Sequence, residues 1–210
     1  VAAIKPGRLI VLAAPSGAGK TTLAHKLLAL VPKLKFSISY TTRPPRETEV
    51  QGEDYFFVSE DEFGEMRAND AFLECAEVFD HWYGTSQEYI QSLLDQGRSV
   101  LLEIDWQGAA QVRSRRPDAV SVFIMPPSRD ELERRLRGRR TDSEPVIQRR
   151  LRDALSDMAH WHEFDYIVIN DDLDSAVAEL AAIVGAGRDE NRTKSPETQA
   201  RVKAILAVSR

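Results

Sequence analysis

The sequence is poor in cysteine, with one, Cys75, in 210 residues. No disulfide can form within the chain, and a cysteine-based metal cluster is excluded. Long apolar runs are lacking as well. None approaches the ~20 residues that span a bilayer. The greasiest N-terminal stretch, Leu9 to Ala14, is cut short by turn residues and cannot serve as a signal-peptide core. Nor is there an excess of positive charge: 28 Lys and Arg stand against 33 Asp and Glu, for a net charge of −5. That balance argues against polyanion binding by the chain as a whole. The expectation is a soluble, cytoplasmic protein of a reducing compartment, with neither nucleic acid nor a membrane as partner.

What is present is ordinary globular composition, 42% hydrophobic and 29% charged, which excludes full disorder. The length favours one domain with room for an inserted subdomain, and no internal repeat is visible. Charge is unevenly spread. From Arg113 to Arg152 there are 12 Arg and no Lys, against 6 acidic residues. Such a run is commonly a solvated helix face. The exclusion of lysine favours phosphate instead, because the guanidinium fork matches phosphate oxygens in a bidentate way that ammonium cannot.

Hydrophobic periodicity and turn chemistry give a coarse element order. Arg8 to Ala13 reads as a buried strand, followed by a turn and a helix to Leu30. Phe36 to Tyr40 and Tyr55 to Val58 read as strands, with Pro44 and Pro45 forcing an extended loop between them. Ser59 and Glu62 form a capping box for a helix to about Arg67. Phe72 to Val78 and His81 to Thr85 are strands around a turn. Residues 36–85 therefore look like a small mixed β insertion. Strand–helix alternation then resumes with strands at Ser99 to Ile104, Ala119 to Met125 and Tyr166 to Asn170. The helices between them start at Ser86, after Asp105, at Ser128 and at Pro145, the last reaching about His160. Another spans Asp172 to Val184, and Ser195-Pro196-Glu197 opens a final one. Repeated β–α units specify a mainly parallel sheet between helices.

Between the first strand and the first helix lies Ala14-Pro15-Ser16-Gly17-Ala18-Gly19-Lys20-Thr21, followed by Thr22. It fits G-x-x-x-x-G-K-[ST] except that Ala14 replaces the first glycine. In such a loop consecutive backbone N–H groups wrap a phosphate at a helix N-terminus. Lys20 then reaches the outer phosphates and Thr21 ligates Mg2+. The bland alternative is a glycine-rich turn with a surface lysine. Glu103-Ile104-Asp105 closes an apolar strand at its C-terminal end, where open α/β sheets place ligand chemistry. Asp105 is thus a candidate acid on the Mg2+ side, through water, or else the cap of the next helix.

With these motifs the sequence resembles the guanylate kinase family in its short bacterial form. The resemblance rests on APSGAGKTT (14–22), SISYTTRPPR (37–46), GEDYFFV (52–58) and FLECAEVFDHWYGTS (72–86), then LLEIDWQG (101–108), RRLRGRRTDSEPVIQRRL (134–151) and IVINDD (167–172). It implies an α/β fold, a P-loop NTPase-like parallel sheet flanked by helices. To this the family adds a small mixed β insertion that binds the nucleoside monophosphate and an Arg-rich helical lid. A single domain over 1–210 would have its core at about 8–35, 86–127 and 161–187. The GMP-binding subdomain would be about 36–85, the lid about 128–160 and a helical tail about 188–210.

The implied activity is transfer of the γ-phosphoryl group of ATP to GMP (and dGMP), dependent on Mg2+, in purine metabolism and GMP recycling. The resemblance places the GMP phosphate on Arg43, Arg46, Tyr55 and Tyr83, and the guanine on Ser39, Glu74 and Thr85. Glu103 and Asp105 match an acid pair of the GMP site, whose first member is Asp in many relatives. ATP falls to residues 14–22, with Lys20, to the lid arginines Arg135, Arg139 and Arg150, and to Asn170 near the adenine. Lys20, Arg43, Asp105, Arg139 and Arg150 would carry catalysis. Phosphoryl transfer needs aligned reactants, neutralised charge and excluded water more than acid–base help.

Two rivals leave different marks. A family member reduced to a binding module would lack Lys20 or the lid arginines, and a kinase of another monophosphate would lack Ser39 and Glu74. His25, His81, His160 and His162 have no partners at metal-ligand spacing and read as surface or packing residues. Trp106 and Trp161 read as packing anchors. The final helix is a candidate contact for a homo-oligomer.

Overall fold

The computed structural model describes residues 7–78, 80–138, 143–185 and 189–207. In chain order the strands are β1 (Leu9–Ala13), β2 (Leu34–Phe36), β3 (Tyr40–Thr41), β4 (Phe56–Phe57), β5 (Phe72–Val78), β6 (His81–Ser86), β7 (Ser99–Glu103), β8 (Val120–Met125) and β9 (Tyr166–Ile169). The helices are α1 (Lys20–Leu30), α2 (Glu60–Ala68), α3 (Gln87–Asp95), α4 (Trp106–Arg115), α5 (Arg129–Arg137), α6 (Glu144–Met158), α7 (Leu173–Gly185) and α8 (Pro196–Leu206). They fall into two compact units. One comprises Ile10–Pro32, Glu103–Trp106 and Val120–Arg210; the other comprises Val1–Leu9, Lys33–Leu102 and Gln107–Ala119.

In the first unit β1, β8 and β9 run parallel, with Ile10 opposite Val120 and Val122 opposite Tyr166. Every residue of β1 is buried, which is why it reads as an unbroken apolar run rather than an alternation. Helix α1 turns Leu23, Ala24 and Leu27 inward, and α7 turns Ala176, Val177, Leu180, Ile183 and Val184 inward. Residues 189–207 are built onto the same unit. Arg192 bridges Tyr166 at the margin of β9, Thr198 Oγ1 donates to the Glu190 carbonyl at 2.7 Å, and Val202 is fully buried.

In the second unit β2 runs parallel to β7, and a four-stranded mixed sheet has the order β4-β3-β6-β5. Helix α2 carries the expected capping box of Ser59 and Glu62, and Ser86 caps α3. The expected strand over 36–40 is instead two strands. Ser37 N still donates to the Leu101 carbonyl beside β7, whereas Phe56 N donates to the Ser39 carbonyl in the mixed sheet. Residues 37–39 are where the chain changes sheets. The helix expected to reach His160 stops at Met158 and tightens into a 3-10 turn over Ala159–Glu163, a common ending for an α-helix.

Candidate active site

The 14–19 loop joins β1 to α1, and all of it but Ala18 lines, with Lys20, Thr21 and Thr22, a cavity of about 310 Å³. Gly17 and Gly19 have φ of 90° and 91°, the left-handed region that disfavours a Cβ. At Gly19 a Cβ would also lie 2.5 Å from Asn170 Nδ2, the atom that donates to the Ala18 carbonyl at 2.8 Å. Ala14 is absent from the residues with positive φ, so the loop's first position needs no glycine here.

Lys20 Nζ donates to the Ile104 carbonyl at 2.8 Å and lies 4.0 Å from Glu103 Oε1. Burial lowers its pKa from the ordinary lysine value, while Glu103, Asp105 and Asp157 pull it back up. Thr21 Oγ1 donates to Glu103 Oε1 at 2.5 Å. Ile104 N donates to the Leu12 carbonyl, so the acid pair is anchored to the strand that feeds the loop. Thr22 and Asp105 are exposed.

Two arginines of the Arg-rich segment meet this loop. Arg135 donates through Nη2 to the Asn170 carbonyl at 3.1 Å and through Nη1 to the Ala18 carbonyl at 3.5 Å. Its Nε is held by Glu131 at 2.7 Å. Arg150 Nη2 donates to Ser16 Oγ at 3.1 Å. Arg139 lies outside the described residues.

The mixed sheet gathers the expected acceptor residues. Arg43 donates to Glu49 Oε1 at 2.7 Å and to the Pro44 carbonyl at 2.8 Å, and its guanidinium lies 5.4 Å from the Tyr55 ring centre. The Glu49 hydrogen bond, with a smaller contribution from Tyr83, raises its pKa. Arg46 N donates to Glu49 Oε2 at 2.7 Å. Tyr55 and Tyr83 meet edge to face at 6.0 Å, and burial raises the Tyr55 pKa. On the facing strands Thr85 Oγ1 donates to the buried Glu74 at 2.5 Å. Ser39 is half-buried just before β3.

Several residues in these networks escaped the sequence reading. Glu49 binds Arg43 and the backbone of Arg46, and those bonds lower its pKa. Its one visible signal was an acid a few residues beyond an arginine pair. Glu131 orders Arg134 and Arg135, which hold its pKa down to about 2. Its signal was the i, i+3 and i, i+4 spacing. Trp106 does more than pack: its indole stacks on His160 at 3.4 Å, and Nε1 donates to Asp157 at 3.1 Å. No local pattern announced that pairing.

A buried strand, a loop with two left-handed glycines and a helix opening on Lys-Thr define a P-loop nucleotide-binding protein. Comparison with known proteins narrows the class. The chain belongs to the guanylate kinase family, whose model, described as guanylate kinase, matches residues 6–186. The chain is 49% identical over 203 residues to the guanylate kinase of Escherichia coli strain K12, covering 96% of this chain and 98% of that one. To the guanylate kinase of Methylococcus capsulatus it is 53% identical over 190 residues, 90% and 93% of the two chains. The crystal structure of guanylate kinase from Anaplasma phagocytophilum superposes with a TM-score of 0.66 at 31% identity, covering 98% of both chains. No helix among the described residues is long and apolar enough to cross a membrane.

Proposed function

We propose that this protein transfers the γ-phosphoryl group of ATP to GMP, releasing ADP and GDP, in a Mg2+-dependent reaction. The observation that carries the reading is the buried Glu74 carboxylate, bonded to Thr85 in the sheet that also presents Tyr83, with Arg43 two residues beyond β3. Guanine offers N1–H and the 2-amino group as adjacent donors, which one carboxylate can accept together. Ser39 and Thr85 serve the remaining base edge. Arg43, Arg46, Tyr55 and Tyr83 take the acceptor phosphate. None of these residues must read a 2′-hydroxyl, so dGMP is also an acceptor.

On the donor side residues 14–22 hold the ATP phosphates, with Lys20 on the outer ones. Arg135, Arg139 and Arg150, within a lid of about 128–160, neutralise charge on the migrating group. Asn170 braces the loop on the adenine side. The oxygen donors Thr21 and Asp105 suit a hard cation. Among the described residues no group of three or more His, Cys, Asp or Glu could hold a metal; bound ATP would supply phosphate oxygens beside these donors. When bound, Mg2+ would neutralise the charge of the phosphate oxygens. Lys20, Arg135 and Arg150 orient and stabilise the same oxygens from fixed positions, which is where most of the rate enhancement arises.

The test is an ADP-release assay over GMP, dGMP, AMP, CMP and UMP, with and without Mg2+. Strong preference for the two guanine nucleotides is expected, since a site with buried polar groups can reject a mismatched analogue by roughly 10⁴–10⁵. Comparable turnover of AMP would overturn the reading.

A further inference from the structure

Helix α4 meets the mixed sheet at its free edge. β5 is the outer strand of the order β4-β3-β6-β5, so alternate residues turn their backbone N–H and C=O away from β6. At Cys75 one side chain takes both groups. Cys75 N donates to Gln111 Oε1 at 3.1 Å, and Gln111 Nε2 donates to the Cys75 carbonyl at 3.3 Å. The carboxamide stands in for the peptide group of a missing neighbour strand. One helical turn on, Arg115 pairs with Asp70 at 2.6 Å, just ahead of β5, where Asp70 has a left-handed φ of 54°. The i, i+4 spacing puts Gln111 and Arg115 on one helix face. Their two contacts bracket the one register irregularity of the β5–β6 ladder, between Phe72 and Glu74.

We infer that Gln111 is a positioning residue for base recognition: by pinning the β5 backbone at Cys75 it fixes where the adjacent Glu74 carboxylate sits. The inference rests on the reading of Glu74 as the guanine reader. Side chains alternate along a strand, so a one-residue slip would carry Glu74 to the opposite face. The ladder is irregular on its N-terminal side, and the Thr85 bond acts on the Glu74 carboxylate rather than on the backbone. The backbone needs a second hold from the outer edge, and Gln111 supplies it. Because Gln111 is exposed, water can hydrate the Cys75 groups once the amide is removed, and the fold survives.

The experiment compares GMP with IMP, which lacks the 2-amino group, in the wild type, Gln111→Met and Glu74→Gln. Met keeps the length and loses both bonds. For Gln111→Met the KM for GMP should rise about ten-fold, the worth of one charge-assisted hydrogen bond lost between a displaced Glu74 and the base, with kcat and the KM for ATP nearly unchanged. The GMP-over-IMP preference should shrink, because a displaced carboxylate no longer takes both donors. A purely structural role would lower Tm and move GMP, IMP and ATP together, and that result overturns the inference. So does an unchanged KM for GMP in Gln111→Met when Glu74→Gln is impaired. An indifferent Glu74→Gln overturns the base-reading assignment itself. Should Gln111→Met not fold, Gln111→Asn, whose amide is too short to reach both Cys75 groups, is read by the same ratios.

Discussion

Thr85 Oγ1 donates to Glu74 Oε1 at 2.5 Å, and the two residues face each other in the β5–β6 ladder. Both are buried, Thr85 to 1% exposure and Glu74 to 8%. The threonine proton is committed to one carboxylate oxygen of Glu74, which leaves the threonine oxygen an acceptor beside the carboxylate. A buried acceptor array of this kind favours a ligand edge with adjacent donors.

The first prediction follows from that pair. In Glu74→Gln the Thr85 hydroxyl can still donate to the amide oxygen, so the sheet stays folded. The amide NH2, however, is set against one of the two guanine donors. The kcat/KM for GMP should fall by at least ~10²-fold. Steady-state kinetics at saturating ATP measures it, and an indifferent variant would remove Glu74 from base recognition.

A second prediction concerns the phosphate loop. Gly19 is both the residue ahead of α1 and a left-handed position, and Ala18 behind it is held by Asn170. In Gly19→Ala the new methyl must strain the backbone by about 1–2 kcal/mol. It must also displace the Asn170 amide, 2.5 Å away, losing a bond worth about 1 kcal/mol. A lower Tm together with a raised KM for ATP is expected. A variant with wild-type Tm would show that the loop can adopt another shape at no cost.

Much of the fold was written locally. Ser59 with Glu62, Ser86 and Ser128 each accept from a backbone N–H in the first turn of the helix they precede, and such caps are short-range events a sequence displays. The phosphate loop is equally local, since its glycines answer to backbone angles within six residues. The break at residues 37–39 was not legible. An alternating run reads as one strand whether it pairs with one sheet or two, and pairing partners are set by distant residues. Glu49, Gln111 and the Trp106–Asp157 bond were hidden for the same reason. Each joins groups whose proximity depends on tertiary packing, and a lone Glu, Gln or Asp on a polar surface has no signature of its own.

The third prediction takes up Arg135 on α5. The planar fork of Arg135 reaches Glu131, the Ala18 carbonyl and the Asn170 carbonyl at once. Lysine offers a single point charge that cannot serve three acceptors in those directions. Arg135→Lys should therefore lower kcat about ten-fold or more, with a smaller change in the KM for GMP. An unchanged kcat would mean that the arginine braces the loop without touching the migrating phosphate.

The last prediction concerns stability and pH. Asp157 lies at the C-terminal end of α6, where the helix dipole disfavours a negative charge, and accepts from Trp106 Nε1 at 3.1 Å. Burial raises its pKa above the ordinary aspartate value, helped by the charges of Asp105 and Asp153 and opposed by the Trp106 bond and His160. A carboxyl whose pKa is raised by folding binds its proton more readily in the native state. Ionising it therefore opposes folding: the penalty is absent below the unfolded value near 3.8 and grows as pH rises through the folded value. Asparagine keeps the acceptor for Trp106 and carries no charge. Asp157→Asn should thus melt ~2 °C above the wild type at pH 7, a small gain because the site is half exposed. The gain should vanish near pH 3.5, where the wild-type group is protonated as well. Asp157→Ala leaves the indole N–H without its partner and should melt below the wild type at both pH values. Thermal melts of the three proteins from pH 3.5 to 8 measure this. An Asn variant less stable than the wild type at pH 7 would show that attraction to Lys20, rather than burial, governs this carboxylate.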